Sequence, residues 1–201
     1  MKLAFLTGVL MALCITLIVD AADSQKTALS VEAQAGLRAG QCVILLRHAL
    51  APGTRDPDDF DVGDCSTQRN LSDQGRLQAQ FIGDLLRVSG IREATVFSSQ
   101  WCRCLETAHA LEVGEVSELP MINSFFRHYE RKSGQTQALR EWLIQHRPDR
   151  RQDVTYPIIV VTHQVNIAAL TGVFPRSGEL IVIEADQSGA TTVVARLEAA
   201  S

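Results

Sequence analysis

The chain has 201 residues, 46% hydrophobic, 21% charged and 5% aromatic, with 19 Lys and Arg against 23 Asp and Glu and a net charge of -4. That balance belongs to a globular protein and excludes a disordered, fibrous or polytopic membrane chain. The acidic excess argues against nucleic-acid binding, so any anionic ligand must meet local positive charge.

At the N-terminus, Lys2 precedes an uncharged apolar run over residues 3–19, and Val19-Asp20-Ala21 offers the small residues a signal peptidase reads. Residues 1–21 therefore read as a signal peptide or, because the run reaches the lower length of a spanning helix, as an uncleaved N-terminal anchor. A lipid attachment site at Cys14 is disfavoured by the bulky Leu13 before it. Both readings export residues 22–201, with the periplasm as the expected compartment. The membrane then enters only through the N-terminal segment, if it is uncleaved.

From residue 28 onward, short apolar runs alternate with amphipathic stretches. A buried strand is expected over 43–47, in front of a loop over 49–70 rich in Pro, Gly and Asp. Ser72 begins a helix whose apolar stripe, Leu77, Phe81, Leu85 and Val88, is expected to pack on a sheet before Ser89-Gly90 ends it. Strands follow at 94–98 and 116–121, with helices at 101–111 and 135–146. A fourth strand covers 157–162, a short helix 166–170, and two closing strands, 179–184 and 191–197, flank Asp186-Gln187-Ser188-Gly189. This alternation implies an α/β domain with a mostly parallel sheet covered on both faces. No repeat or interdomain linker interrupts it.

Beyond residue 21 the cysteines are Cys42, Cys65, Cys102 and Cys104. In an oxidising compartment such thiols pair. Cys42 opens an apolar run and reads as a buried free thiol, while Cys65 lies in a polar loop with either Cys102 or Cys104 as its disulfide partner. Cys102-x-Cys104 lacks the spacing of a zinc site, and no metal or other cofactor is expected.

In open α/β sheets, ligands bind beyond the carboxyl ends of the strands. The first strand ends in Arg47-His48, the second leads through Ser98-Ser99 to Arg103, and the fourth ends in Thr162-His163-Gln164. Two histidines and two arginines should therefore converge. A neutral imidazole can attack phosphorus and split one displacement into two easier ones. Guanidinium forks match the phosphoryl oxygens and neutralise charge in the transition state. No glycine-rich phosphate loop occurs in the chain.

Leu46-Arg47-His48-Ala49, Leu71-Ser72-Asp73-Gln74-Gly75-Arg76, Ser98-Ser99-Gln100-Trp101-Cys102-Arg103 through Thr107-Ala108, and Val161-Thr162-His163-Gln164 together resemble the histidine phosphatase (phosphoglycerate mutase-like) superfamily. The resemblance spans the chain after its leader and implies a three-layer α/β/α sandwich. It implies that His48 accepts the phosphoryl group, that Arg47 and Arg103 hold it, and that His163 adds a hydrogen bond. The tract from Asp64 to Leu71, with Cys102, Cys104 and Ser177-Gly178-Glu179, resembles a subgroup of exported phosphatases associated with lipopolysaccharide core heptose phosphate. That narrower resemblance implies an envelope phosphosugar substrate, with Arg69 and Gln164 as further contacts at the pocket.

Two departures bear on chemistry. Ala49 stands where the family usually has Gly, adding a methyl beside the nucleophile. Gln164 replaces an acid used in one branch. The other branch's acid follows the third strand, where Glu118 is a candidate proton donor by type and Asn123 stands nearer by position. The loop from Asp56 to Asp64 supplies five carboxylates that either close over the site or form a solvated acidic loop. The basic run Arg127-His128-Tyr129-Glu130-Arg131-Lys132 reads as a solvated face, with an anionic polymer or membrane surface as the alternative. Against the phosphatase reading stands a catalytically weak protein that binds a phosphorylated ligand.

Overall fold

The computed structural model describes residues 28–146 and 156–199. Residues 1–21, read as leader or anchor, lie outside them. Among the described residues no helix is long and apolar enough to cross a membrane.

Six strands form one sheet: β1 Cys42–Arg47, β2 Thr95–Ser98, β3 Val116–Glu118, β4 Ile158–Thr162, β5 Leu180–Ala185 and β6 Thr191–Leu197. Their order is β3-β2-β4-β1-β5-β6. The first four run parallel, while β5 pairs antiparallel with β1 and with β6. β1 and β4, in register with Arg47 opposite Thr162, lie in the middle and carry near-continuous apolar side chains, as strands covered on both faces require.

The helices are α1 Val31–Arg38, α2 Asp73–Val88, α3 Cys102–Ala110, α4 Lys132–Gln145 and α5 Gln164–Thr171. Alternate residues of the central strands point to opposite layers. Ile44, Leu46, Ile159 and Val161 pack with α1, α2 and α3, whereas Leu45, Val160 and Ile181 pack with Leu139, Trp142, Leu143 and Ile167 of α4 and α5. This is the three-layer α/β/α sandwich with a mostly parallel sheet that the sequence implies.

The strand expected over 116–121 stops at Glu118. Pro120 has no N–H for a ladder, and residues Pro120–Ile122 turn instead into a single 3-10 turn.

α2 begins where expected, with the Ser72 side chain accepting from the Gly75 N–H, but it presents a different face to the sheet. Leu77, Phe81 and Val88 are exposed, at 66%, 40% and 77%, and only Leu85 of the expected stripe is buried. The inward face is Gly75, Ala79, Ile82, Gly83 and Leu86. Two glycines decide this. A Cβ on Gly75 would lie 2.0 Å from the Leu50 carbonyl oxygen, and one on Gly83 would lie 2.4 Å from that of Leu111. The helix lies against backbone at both points, which only its glycine face permits.

Candidate active site

The carboxyl ends of β1, β2 and β4 open on one cavity of about 740 Å³, whose wall includes Arg47, His48, Arg69, Arg103, His163 and Gln164. Arg47, His48, Arg103, His163 and Gln164, all placed by sequence at or just beyond strand exits, arrive there.

β1 delivers Arg47 and His48 to a backbone clamped from two sides. The His48 N–H donates to the Thr162 carbonyl, and the Gly178 N–H meets the Arg47 and His48 carbonyls. The loop bearing Gly178 is anchored by buried Glu179, which pairs with Arg196 at 2.6 Å and accepts from the Arg176 N–H. Ala49 takes its place without a left-handed backbone and is fully buried beside Ala51, Leu71 and Ala79, so the added methyl is packed. Its N–H donates to Thr107 Oγ1, which in turn donates to the Arg103 carbonyl. The loop after His48 and α3 are thus tied together.

Two partners fix the His48 tautomer. The Ala49 carbonyl lies 2.8 Å from Nδ1 and can only accept, so Nδ1 carries the proton. Arg103 Nε donates to Nε2 at 3.2 Å, so Nε2 offers a lone pair. Burial lowers the His48 pKa well below the ordinary histidine value, and Arg103, Arg47 and Arg69 lower it further. The ring is neutral, with its basic nitrogen facing guanidinium groups.

His163 is fixed by elimination. The Gln100 N–H donates to Asn123 Oδ1, so the Ser99 hydroxyl at 3.0 Å from the same oxygen must donate to it as well. Its lone pair then faces His163 Nε2 at 2.9 Å, which must carry the proton. Asn123 Nδ2 donates to Gln100 Oε1, and Gln100 Nε2 donates to Glu118. Burial, Arg103 and His48 hold the His163 pKa well below its ordinary value.

Glu118 itself is exposed on β3 and does not line the cavity; its carboxylate ends this chain of hydrogen bonds at the surface. The candidate donor is thereby corrected to a peripheral acceptor, and Asn123 occupies the wall. Glu118 ends β3 level with Ser98 of β2, but its carboxylate meets Gln100 at the surface and not the cavity.

Of the five acidic-loop carboxylates, Asp56 and Asp61 reach the cavity. Asp56 is the residue that strand-exit reasoning missed. Arg103 grips it with both terminal nitrogens, at 2.6 and 3.3 Å, while the Arg69 N–H and the Trp101 indole N–H donate to it. Burial alone would raise its pKa, but Arg103 and these donors outweigh that and hold it below the usual carboxylate value. Asp56 is therefore an ionised anchor that aims Arg103. Arg69 donates to the Ala51 carbonyl, and burial lowers its pKa to about 10. Arg47 donates to the Pro175 carbonyl. Both Arg47 Nε and Arg69 Nε are buried donors without a partner among the described residues.

Cys65 is brought to disulfide distance of Cys102, with Cα atoms 5.7 Å apart, beside Arg103. Cys104 and Cys42 are buried and free. α3 turns Cys104 inward to His163 Nε2, 3.5 Å away, where burial pushes its thiol up to about 12. Among the described residues, no three His, Cys, Asp or Glu side chains group as a metal site requires.

The two depressed histidines make stability fall in mild acid. In the unfolded chain each titrates near pH 6.5, so below that pH the unfolded state binds protons the folded state does not. Both rings are neutral in both states above pH 7, and there they add no pH dependence. As pH falls from about 6.5, stability should drop by up to about 1.4 kcal/mol per pH unit for each ring. Urea denaturation at pH 7.5, 6 and 5 should show this slope, and His48→Asn with His163→Asn should flatten it; an equal slope in the variant would place the proton uptake elsewhere.

Comparison with known proteins is consistent with this geometry. No family model matches the chain. The chain has the histidine phosphatase (phosphoglycerate mutase-like) fold: the protein histidine phosphatase SixA complexed with tungstate superposes with a TM-score of 0.57 and 16% identity, covering 78% of this chain and 96% of that one. A mycobacterial glucosyl-3-phosphoglycerate phosphatase in complex with VO3 superposes with a TM-score of 0.55 and 16% identity, covering 77% and 98%. In sequence, the mitochondrial serine/threonine-protein phosphatase Pgam5 of Drosophila virilis is 39% identical over 66 residues, 33% of this chain. That match spans a fifth of the length of the curated relative.

Proposed function

We propose that this chain is an exported, metal-independent phosphatase that hydrolyses a phosphate monoester through a phosphohistidine on His48. The observation that carries this reading is the neutral His48 ring, Nε2 lone pair outward, among Arg47, Arg69 and Arg103. The structural neighbours named as phosphatases support it.

The ester enters with its phosphoryl oxygens on the three guanidiniums, and Arg103 Nε turns from His48 to the substrate. His48 Nε2 then bonds to phosphorus as the P–O ester bond breaks, and the leaving oxygen takes a proton from solvent water, which the water consumed in the next step returns. Charge on the equatorial oxygens is met by the arginines, whose combined positive charge does the work otherwise assigned to a cation. Water next attacks phosphorus, the P–N bond breaks, inorganic phosphate leaves and the imidazole is regenerated. Asp56 is held ionised and cannot donate the leaving-group proton, whereas Asp61, whose carboxylate accepts only the Gly63 N–H, is the wall carboxyl without an arginine partner. Export and the Cys65–Cys102 disulfide belong to the same reading, as does an envelope phosphosugar as the substrate that the subgroup resemblance implies.

The shortage of carboxylic acids at the wall favours one rival, a phospho-ligand binding protein with little turnover. Mass spectrometry of the purified protein, mixed with an activated aryl phosphate and quenched in denaturant at neutral or higher pH, separates the two. A phosphoryl adduct on His48 with steady phosphate release, unaffected by EDTA, is the expected result. Loss of release on chelation would refute metal independence, and neither adduct nor release from aryl phosphate or phosphosugars would favour the binding protein.

A further inference from the structure

Residues 52–70, between β1 and α2, form one wall of the cavity through Asp56, Phe60, Asp61, Val62 and Arg69. No apolar side chain among them is buried; only Asp56 and Gln68 are. A segment with so little apolar burial has no core of its own and is held by what it touches. Arg127 straps it at the Pro57 carbonyl and the Asp58 carboxylate. The rest of the hold on the cavity side comes from three consecutive residues at the start of α3. Trp101 stacks on Phe60, ring centroids 4.8 Å apart, and donates its indole N–H to Asp56 at 3.1 Å. Cys102 bonds to Cys65 and donates its N–H to Gln68 Oε1 at 2.9 Å. Arg103 grips Asp56 and donates to the Arg69 carbonyl at 3.1 Å. Gln68 in turn donates to the Asp61 and Val62 carbonyls, both at 3.0 Å, which carries the hold to the cavity wall.

Arg103 also donates from Nε to His48 Nε2, so whatever fixes the loop fixes the guanidinium on His48. Of these contacts the Cys65–Cys102 bond alone is covalent. A reductant can reach it, because Cys65 is exposed, whereas Cys42 and Cys104 are buried. Neither bonded cysteine belongs to the apolar clusters that join sheet and helices. Opening the bond therefore loosens the wall and leaves the core.

We infer that Cys65 and Cys102 are positioning residues for the proposed reaction: their disulfide holds Asp56 against Arg103, and full turnover requires the oxidised form. This rests on the phosphatase reading of His48. A dithiol reductant opens the bond by thiol–disulfide exchange. Its thiolate attacks one sulfur and the S–S bond breaks; its second thiol then attacks the mixed disulfide, so the reductant leaves as a cyclic disulfide and its two thiol protons pass to Cys65 and Cys102. Asp56 and Arg103 then keep only their noncovalent partners, and the fork drifts from His48. A displacement of about 1 Å at a reacting centre costs up to about 10²-fold in rate.

The test measures kcat/KM for an aryl phosphate, per folded molecule, with oxidised protein and with protein reduced by dithiothreitol, alongside circular dichroism and urea denaturation of the same samples. Reduction should lower kcat/KM at least about tenfold while the protein stays folded. Cys65→Ser combined with Cys102→Ser should match the reduced protein and not respond to dithiothreitol. In an Asp56→Asn background the same reduction should cost about threefold or less, because the contact it acts through is already weakened. A merely structural disulfide predicts lower stability with kcat/KM per folded molecule unchanged, and that result overturns the inference and leaves the phosphatase standing. So does unfolding of the reduced protein without urea, an equal loss in the Asp56→Asn background, or a response of the double serine variant to dithiothreitol. Absence of turnover by the oxidised protein, with no His48 adduct, removes the phosphatase reading and this inference with it.

Discussion

His48→Ala should abolish turnover, lowering kcat on an aryl phosphate by at least about 10³-fold, the scale of nucleophile deletions. The side chain is 2% exposed and its ring makes two polar contacts, one to the Ala49 carbonyl and one from Arg103 Nε. Alanine removes the lone pair that attacks phosphorus in the proposed mechanism and leaves the strand clamp intact, since that clamp uses the His48 backbone N–H and carbonyl. The fold should therefore persist, with a stability change within the common range of about 0.5–3 kcal/mol. Steady-state kinetics, adduct mass spectrometry and thermal unfolding on one preparation give the three readouts. Retention of more than a small fraction of activity in a folded variant would assign the chemistry to another group.

Arg103→Ala should damage both catalysis and stability. Arg103 is 3% exposed and bridges the site, with Nε on His48, two nitrogens on Asp56 and one on the Arg69 carbonyl. Removing it strands an Asp56 carboxylate that is 11% exposed, and breaking such a buried pair costs about 3–5 kcal/mol. It also removes the guanidinium hydrogen-bonded to His48, so on the phosphatase reading kcat/KM should fall at least about 10²-fold. Arg103→Lys separates the two effects: an ammonium restores charge beside Asp56 but cannot hold His48 and both carboxylate oxygens at once. Urea denaturation should show stability partly recovered, while kcat/KM stays low. Full recovery of rate with lysine would mean that charge alone, not the fork, is required.

The acidic loop shows how far the sequence carries. Five carboxylates between Asp56 and Asp64 are alike by type and spacing, and nothing local marks Asp56. It becomes a site residue because the loop folds back until Asp56 meets Arg103, 47 residues away, under the Trp101 indole. The same holds for Cys65, whose two candidate partners stand two residues apart on α3. Helical geometry turns Cys104 inward toward His163 and leaves Cys102 toward the loop. Of the run from Arg127 to Lys132, read as a solvated face, Arg127, His128 and Arg131 line the cavity, and Arg127 reaches across to the Pro57 carbonyl and the Asp58 carboxylate of the loop after β1.

By itself the sequence determined the alternation of strand and helix, the parallel centre of the sheet, and the arrival of Arg47, His48, Arg103 and His163 at strand exits. These follow from short-range periodicity and from the rule that strand ends in such sheets converge. Tertiary structure alone decided which face of α2 is buried, which aspartate anchors Arg103, which cysteine meets Cys65, and that Glu118 stays outside the cavity. Each of these is a choice between chemically equivalent neighbours, settled by backbone approaches and side-chain partners far apart in the chain, where no local pattern distinguishes the alternatives.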